Sequence, residues 1–271
     1  MINTSQQALA AELLALLGTG RQVAPFSSGD TGFSLARAYD IVAIIRDSRA
    51  ARGETPVGRK IGFTNSAVWH GLGLEGPIWN YMYDTTVAGL SALGSSFKLP
   101  NWPESRIEPE IVLHLAKAPQ AGMSDAELLA CVDWIAPAFE IVTSIFPNWT
   151  FTAADATAAF GVHGSLLLGE KLLVPDDRAA FAHALTSFTV DLIGPGSTRQ
   201  HGHARNVLGG PIQALAFLVA ELARFGCTDL LRAGELITTG TLTDAMPVTP
   251  GQTWTATFSG IGIASPTLTL T

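Results

Sequence analysis

Three glutamates offer the clearest chemistry in this sequence. Glu108 and Glu110 stand two residues apart in Arg106-Ile107-Glu108-Pro109-Glu110-Ile111-Val112-Leu113. On a strand, residues i and i+2 face the same way, so the two carboxylates project side by side. The residues that follow are apolar and carry the strand into a core. Pro109 lacks a ladder donor, which points to an edge or a strand end. Two like charges in a partly buried place are costly unless a cation joins them; for the pair alone, a solvated acidic edge is the plainer alternative. Glu140 adds to the pair. It interrupts the apolar run Ile135-Ala136-Pro137-Ala138-Phe139-Glu140-Ile141-Val142. A lone carboxylate there needs a partner, either an Arg or Lys or a shared cation. Three oxygen ligands with no Cys or His nearby suit Mg²⁺ or Mn²⁺ better than Zn²⁺. They leave about three octahedral positions for water or a chelating substrate.

Other polar residues are less telling by themselves. Lys60, in Gly58-Arg59-Lys60-Ile61-Gly62, either snorkels to the surface or points into a site, and its local sequence favours the surface. His163 lies between Gly161 and Gly164. Flanking glycines let a backbone approach a ligand closely, although a core imidazole satisfied by a carbonyl is the commoner case. His201 and His203 flank Gly202 in a stretch that reads as a polar, exposed turn, and two histidines without a third ligand make a poor metal site. The glycine-rich stretches match neither a phosphate loop nor a dinucleotide fingerprint, and no Gly-x-Ser-x-Gly elbow occurs.

The elements that must position these residues change character along the chain. Helices are expected at Gln6–Leu17 and Leu35–Ala51, with a loop over Gly20–Phe33. From Val57 onward, glycines and prolines punctuate short apolar or alternating runs. Strands are expected at Val57–Gly62, Ile107–Leu115, Ile135–Val142, Gly164–Leu168, Ser187–Ile193, Leu236–Thr239 and Thr253–Phe258. Two helices interrupt them: Ser124–Trp134, opened by a Ser124/Glu127 capping box, and Pro211–Phe225, followed by Gly226. Regular βαβ alternation is absent, which argues against a doubly wound sheet. The expectation is an α+β chain, with an N-terminal helical segment over residues 1–56 and a mixed, rolled or sandwiched β-rich catalytic domain over residues 57–271.

Of 271 residues, 47% are hydrophobic and 14% charged, which implies a large core and further apolar surface hidden in a homo-oligomer. The formal net charge of −7, without a basic run, argues against nucleic acid. No uninterrupted apolar run is long enough to span a bilayer, so no membrane partner is expected. The N-terminus lacks the pattern of a signal peptide. Cys131 and Cys227 lie far apart, and a reducing cytoplasm fits them better than a disulfide framework.

Five blocks in order make a more specific pattern: Lys60-Ile61-Gly62-Phe63-Thr64, Glu108-Pro109-Glu110-Ile111, Pro137-Ala138-Phe139-Glu140-Ile141-Val142, Gly209-Gly210-Pro211 and Thr239-Gly240-Thr241-Leu242-Thr243. As a set they resemble the 2-keto-4-pentenoate hydratase / 4-oxalocrotonate decarboxylase family of the fumarylacetoacetate hydrolase superfamily. The likeness runs from about Ala36 to Gly251. It implies a mixed β-sandwich roll with an N-terminal helical part, a homo-oligomer, and Mg²⁺ or Mn²⁺ on the three glutamates. It also implies that Lys60 belongs to the active site. The expected activity is a metal-dependent lyase that adds water to a 2-hydroxy-2,4-dienoate, giving a 4-hydroxy-2-oxo acid, as in catabolism of aromatic compounds. Thr241 and Thr243 are expected to donate hydrogen bonds to the small 2-oxo acid substrate.

Two departures bear on the reaction. Relatives that hydrate the dienol carry an acidic residue where this chain has Gly76-Pro77-Ile78-Trp79-Asn80, and they tend to have serines where it has Val162-His163. His163 is therefore expected to move protons in place of the absent carboxylate. The alternatives on the same scaffold are decarboxylation of a 2-oxo acid and C–C hydrolysis of a β-diketo acid. An alternative of another class is a non-catalytic small-acid binding protein, against which the retention of all three glutamates and Lys60 argues.

Overall fold

In the computed structural model, which describes residues 4–66, 69 and 74–271, the strand-forming segments assemble into two sheets. The strands in chain order are β1 (Pro56–Gly62), β2 (Ile78–Tyr83), β3 (Val87–Gly89), β4 (Ser96–Phe97), β5 (Arg106–Leu115), β6 (Val132–Val142), β7 (His163–Leu168), β8 (Leu172–Leu173), β9 (Thr189–Ile193), β10 (Arg199–His203), β11 (Leu236–Thr238), β12 (Met246–Pro247), β13 (Thr253–Ser259) and β14 (Thr267–Leu270). The larger sheet runs β2-β1-β11-β5-β6-β7-β3, with β12 also on β5 and β8 also on β6. The smaller runs β10-β9-β13-β14-β4. Both are mixed: β1/β11, β3/β7 and β14/β4 pair in parallel, while β5/β6 and β6/β7 are antiparallel.

Strand periodicity separates the two faces of the larger sheet. One face carries Ile107, Ile111, Leu113, Phe139, Ile141 and Ile237, all fully buried. These belong to one core cluster with Val190, Leu192, Trp254 and Leu268 of the smaller sheet. The same cluster takes in Ile212, Leu215, Leu218 and Leu222 of the helix Pro211–Arg224. The stretch Ala204–Arg224 is apolar enough and long enough to resemble a membrane span, but half of it is buried inside the protein. The opposite face of the larger sheet carries the glutamates.

The helices Thr4–Leu16 and Leu35–Ala50 form a separate layer. Their core residues Leu13, Ile41 and Ile45 cluster with Phe146, Ala154, Ala158 and Phe160, which come from the segment between β6 and β7. The helical layer is thus completed by the stretch that leads into β7. Residue 155 ties the same segment down again: its carboxylate accepts from the backbone N–H and the hydroxyl of Ser27 at 3.0 and 2.6 Å.

Several elements differ from the sequence-based expectation. The helix expected over Ser124–Trp134 begins with the Ser124/Glu127 capping box but spans only Asp125–Leu129. Val132, Asp133 and Trp134 are taken by β6 instead, where sheet burial outweighs the helical start. His201 and His203 lie on strand β10, not in a turn, because the stretch pairs with β9. Strand β2 gives no alternating signal because all six of its residues are buried. The helix Arg178–Ser187 claims Ser187, so β9 begins at Thr189.

Gly58 permits the close parallel pairing of β1 with β11; a Cβ there would overlap the Leu236 backbone carbonyl. Gly58→Ala should destabilise the protein by about 1–3 kcal/mol, as overpacking at a closed position does. Thermal melts would read this as a lowered Tm, and an unchanged Tm would contradict the pairing.

Candidate active site

The antiparallel register of β5 and β6 sets Glu108 directly opposite Glu140, while Glu110 lies two residues along β5 on the same face. Ligand oxygens of the three carboxylates lie within 4.8 Å of one another. Glu110 and Glu140 are fully buried, and Glu108 remains partly open. Across the sheet, β11 pairs Thr238 with both Val112 and Lys60, so Lys60 projects on the same face as the glutamates. Its Nζ stands 3.3 Å from Glu140 Oε2. Small residues Ala136 and Ala138 on β6 leave room on this face. Lys60 and Glu108 form part of the floor of a cavity of about 800 Å³.

Each of the two buried carboxylates has one oxygen held by the protein. The backbone N–H of Gly240 donates to Glu110 Oε2 at 3.0 Å. This approach needs glycine: Gly240 has φ +93°, and a Cβ there would strike the Thr64 side chain. His163 Nδ1 lies 2.7 Å from Glu140 Oε1. Of the other two oxygens, Glu110 Oε1 has no hydrogen-bond partner and Glu140 Oε2 has only the ion pair with Lys60. A buried oxygen without a partner is costly, and a divalent cation among these carboxylates would satisfy both. The donor set, all oxygen, fits a hard ion.

The electrostatics agree. Burial pushes the Glu108 carboxyl up to about 7, with Lys60 opposing the shift and Glu140 reinforcing it. Burial raises Glu110 well above the ordinary range, and its two neighbouring carboxylates raise it further. Burial also works against the charge on Glu140, but Lys60 and His163 outweigh it and bring that carboxyl down to about 2. Lys60 is opposed by its own burial, yet the three carboxylates hold it protonated with a raised pKa.

The cavity walls mix apolar side chains, including Phe63, Trp69, Ile78, Phe151, Val162 and Phe217, with polar ones. The Trp69 and Phe217 rings meet edge to face at 5.9 Å, and Trp69 Nε1 donates to the Phe63 carbonyl at 2.7 Å. Gln200, His201, Arg205 and Asp244 also line the cavity, and all but Gln200 are exposed.

Residues 75–269 match the family model described as the fumarylacetoacetate (FAA) hydrolase C-terminal domain. The chain belongs to the fumarylacetoacetate hydrolase family. It is 29% identical over 268 residues to 2-keto-4-pentenoate hydratase of Burkholderia vietnamiensis, covering 98% of both chains. It is also 29% identical to 2-hydroxyhexa-2,4-dienoate hydratase of Comamonas testosteroni, over 93% of each. Among solved structures, 4-oxalocrotonate decarboxylase from Pseudomonas putida G7, complexed with magnesium and adipate, superposes with a TM-score of 0.86 at 25% identity, covering 100% of this chain and 99% of that one. The fold is that of the fumarylacetoacetate hydrolase family, α+β with mixed sheets.

Within this family fold, the residues singled out from sequence fall into two groups. Glu108, Glu110, Glu140 and Lys60 converge on one face of the larger sheet, with Lys60 and Glu108 reaching the cavity floor and the other two buried behind them. His163, Thr241 and Thr243 are placed differently from expectation. His163 does not line the cavity: it is buried, and its two ring nitrogens are engaged by Glu140 and by Thr86 Oγ1, the latter at 3.0 Å. An imidazole so occupied is not free to move substrate protons. Thr241 and Thr243 do line the cavity, but their hydroxyls donate to the backbone carbonyls of Thr243 and Asp244 at 2.9 and 3.0 Å. A hydroxyl has one proton to give, so toward a ligand they act as acceptors. Asn80, two residues beyond Ile78 where the acid is absent, lies beside Lys60 in the β1/β2 register, and its Nδ2 donates to the Thr157 carbonyl at 2.8 Å.

Sequence reasoning missed Gly240 as a donor to Glu110 and Thr86 as a partner of His163. Gly240 carried a signal, a glycine inside the Thr-Gly-Thr block; Thr86 carried none. The aromatic walls were also missed, because they come from segments far apart in sequence.

The raised carboxyl pKa values make cation binding proton-linked, since ligands must be deprotonated to bind a metal. A carboxyl raised in the folded state favours folding fully below the unfolded value of about 4.3, and this contribution is lost as pH rises through the folded value. The metal-free protein should therefore lose stability as pH climbs through about 7, the value for Glu108. Apparent metal affinity should fall by at least about tenfold per pH unit below that value. Calorimetric titrations with Mg²⁺ at stepped pH would check this, and a flat affinity would contradict it.

Proposed function

We propose that this chain is a divalent-metal-dependent hydratase that converts a 2-hydroxy-2,4-dienoate into a 4-hydroxy-2-oxo acid in the catabolism of aromatic compounds. The observation that carries this is the trio of buried or half-buried carboxylates, with Glu110 Oε1 unpartnered, beside a protonated lysine at the floor of a cavity. Relatives named as hydratases of 2-keto-4-pentenoate and 2-hydroxyhexa-2,4-dienoate support the substrate class. The neighbouring structure with magnesium supports Mg²⁺ or Mn²⁺ as the ion, held by Glu108, Glu110 and Glu140.

When bound, the cation supplies Lewis-acid polarisation of the substrate's 2-oxo oxygen and charge stabilisation of the enolate. The overall reaction adds one water. Ketonisation moves the enol proton to C5 and leaves a 3,4-alkene conjugated to the 2-oxo group; water then places its hydroxyl on C4 and a proton on C3. Lys60 brings a fixed positive charge to this end of the cavity. It attracts the substrate carboxylate, stabilises negative charge as it develops on oxygen, and holds a proton at Nζ that it can exchange with the substrate. The aromatic walls bind the diene and keep bulk water from the reacting carbons. Thr241 and Thr243 orient a ligand hydroxyl or water through their lone pairs.

The same reading takes the chain as a cytoplasmic homo-oligomer acting on a small 2-oxo acid. Leu173 and Leu230 stand 72% and 55% exposed, apolar surface that a subunit interface would cover. Both cysteines are free. Residues 1–56 serve as a helical segment docked on the catalytic part.

Turnover of 2-hydroxypenta-2,4-dienoate, followed by loss of diene absorbance and appearance of the 4-hydroxy-2-oxo acid, tests the assignment. Activity should vanish with chelator and return with Mg²⁺ or Mn²⁺. Lys60→Met should lower kcat by about 10²–10⁴-fold, as loss of an acid–base group does, while the protein still binds metal. Release of CO₂ from a 2-oxo diacid without hydration of the dienoate would replace this activity with decarboxylation.

A further inference from the structure

His163 is occupied, but not idle. Strand β7 begins with an irregularity: Ile141 faces Ser165, whereas Val142 faces His163, so the register shifts between them. A bulge of this kind re-aims a side chain, and here it turns the imidazole onto Glu140. The hydroxyl of Thr86 lies 3.0 Å from Nε2 and 3.1 Å from the Tyr83 carbonyl. The Glu140 carboxylate is held ionised and can only accept, so Nδ1 carries the proton donated to Oε1. Thr86 is fixed in turn by its own backbone: its N–H donates to the Tyr83 carbonyl at 2.8 Å, and its carbonyl accepts from Leu166 N–H at 2.8 Å. The chain Thr86–His163–Glu140 is therefore pinned at its far end to the β2–β3 turn and to β7.

The consequence lies in the form in which the buried carboxylates are presented. His163 holds Oε1 of Glu140 and leaves Oε2 on the side of Lys60, whose Nζ lies 3.3 Å away. Gly240 does the same for Glu110, leaving Oε1. Each of these two carboxylates thus has one oxygen turned to a protein donor, which disfavours bidentate ligation of a cation. Calcium readily takes seven or eight oxygens and accepts bidentate carboxylates, whereas Mg²⁺ demands a small octahedron of single oxygens. Hydrogen bonds to ligating carboxylates fix their orientation, and losing one typically costs about 10–100-fold in metal affinity.

We infer that His163 is a positioning residue for metal selectivity: held by Thr86, it restricts Glu140 to one ligand oxygen and so favours a small octahedral ion over calcium. The inference rests on the three glutamates holding a divalent cation, and the experiment separates the two claims. Chelator-stripped full-length protein is titrated calorimetrically with MgCl₂, MnCl₂ and CaCl₂, for wild type, His163→Leu, His163→Asn and Thr86→Val. The leucine variant removes the donor at similar volume; asparagine keeps a side-chain N–H near the position of Nδ1. Wild type should prefer Mg²⁺ and Mn²⁺. In His163→Leu the Mg²⁺ affinity should fall by about 10–100-fold, with a smaller loss or a gain for Ca²⁺, so that the Ca²⁺/Mg²⁺ affinity ratio rises at least about tenfold. His163→Asn should recover most of the wild-type ratio. A merely structural histidine would lower Tm in both variants without moving the ratio. If the leucine variant does not fold, Thr86→Val decides the matter, since it keeps the ring and loses its anchor; its ratio should shift in the same direction by about threefold. A wild type that binds none of the three ions overturns both the metal-holding reading and this inference. A wild type that binds Mg²⁺, with a ratio unchanged in the variants, overturns this inference alone.

Discussion

Two fully buried carboxylates and a third beside them share one face of a sheet, with a single lysine ammonium as the nearest cation. That arrangement is electrostatically unfavourable for a protein alone. Burial and mutual repulsion raise Glu108 and Glu110, while only Glu140, closest to Lys60 and bonded by His163, is held firmly ionised. A buried pair of charges breaks about even at best, so a trio with one counter-charge must either hold protons, as the raised Glu108 and Glu110 carboxyls do, or receive further positive charge. The rest of the structure follows from holding this trio still. All four charged groups sit on paired strands, where hydrogen bonding on both sides limits movement, and loops contribute only a backbone donor at Gly240. Functional groups on rigid elements are placed more accurately than groups on loops.

The strand that carries Lys60 illustrates how one sequence serves both faces. Arg59 and Lys60 are adjacent and point to opposite sides. Arg59 is fully buried on the core side, where its guanidinium binds Glu235 at 2.8 Å and Asp229 at 3.2 Å and lies 3.9 Å from the Tyr81 ring centre. Asp229 also accepts from the Tyr81 hydroxyl and from Arg46. This network ties β1 to the turn before β11 and to helix Leu35–Ala50. It fixes the registration of the strand from behind, so the lysine in front does not have to be positioned by contacts in the cavity.

How much of this is legible in the sequence depends on how local the cause is. The Glu-x-Glu spacing and the charge inside an apolar run are local, and both single out the three carboxylates that the structure brings together. Strand periodicity places Glu108 and Glu110 together without any tertiary information. The opposition of Glu108 and Glu140 is different: it depends on the register of two long strands joined across α-helical residues 125–129, which no short window encodes. Lys60 is ambiguous locally because either it or Arg59 could have faced the core, and only the five-block resemblance resolved the choice. His163 misled for a related reason. Its flanking glycines are real features of close packing, since a Cβ at Gly161 would meet Asn80 and Lys60, and one at Gly164 would meet the Ile141 carbonyl and Trp102. They serve backbone approach, not the exposure of an imidazole to substrate. Thr86, its partner, sits in a turn with no distinguishing sequence.

The cavity divides its work between a charged floor and partly apolar walls, and that division bears on which reactions the site can support. A hydratase must hold a carboxylate and a 2-oxo group at one end while leaving the far alkene carbon in a largely apolar space that admits one water. Lys60 and the glutamates meet the first need, and Phe63, Trp69, Ile78, Phe151 and Phe217 meet the second. A diacid substrate would instead have to extend its second carboxylate toward positive charge. Among the cavity-lining residues, the groups suited to that are Lys60 at the floor and Arg205 and His201, which are exposed; His201 is already paired with Asp191 at 3.0 Å. Exposed cations are weakly effective because water screens them, and the Asp244 carboxylate also lines the cavity. Buried charge is therefore concentrated at the floor, while the walls combine apolar contact with hydrogen-bonding side chains. A mono-acid with an uncharged tail uses both parts of the cavity, whereas a second carboxylate would give up wall burial for weak contacts with exposed charges. On this balance the chain's own residues favour hydration of an uncharged-tailed dienoate over decarboxylation of a diacid, even though the neighbouring decarboxylase shares its fold.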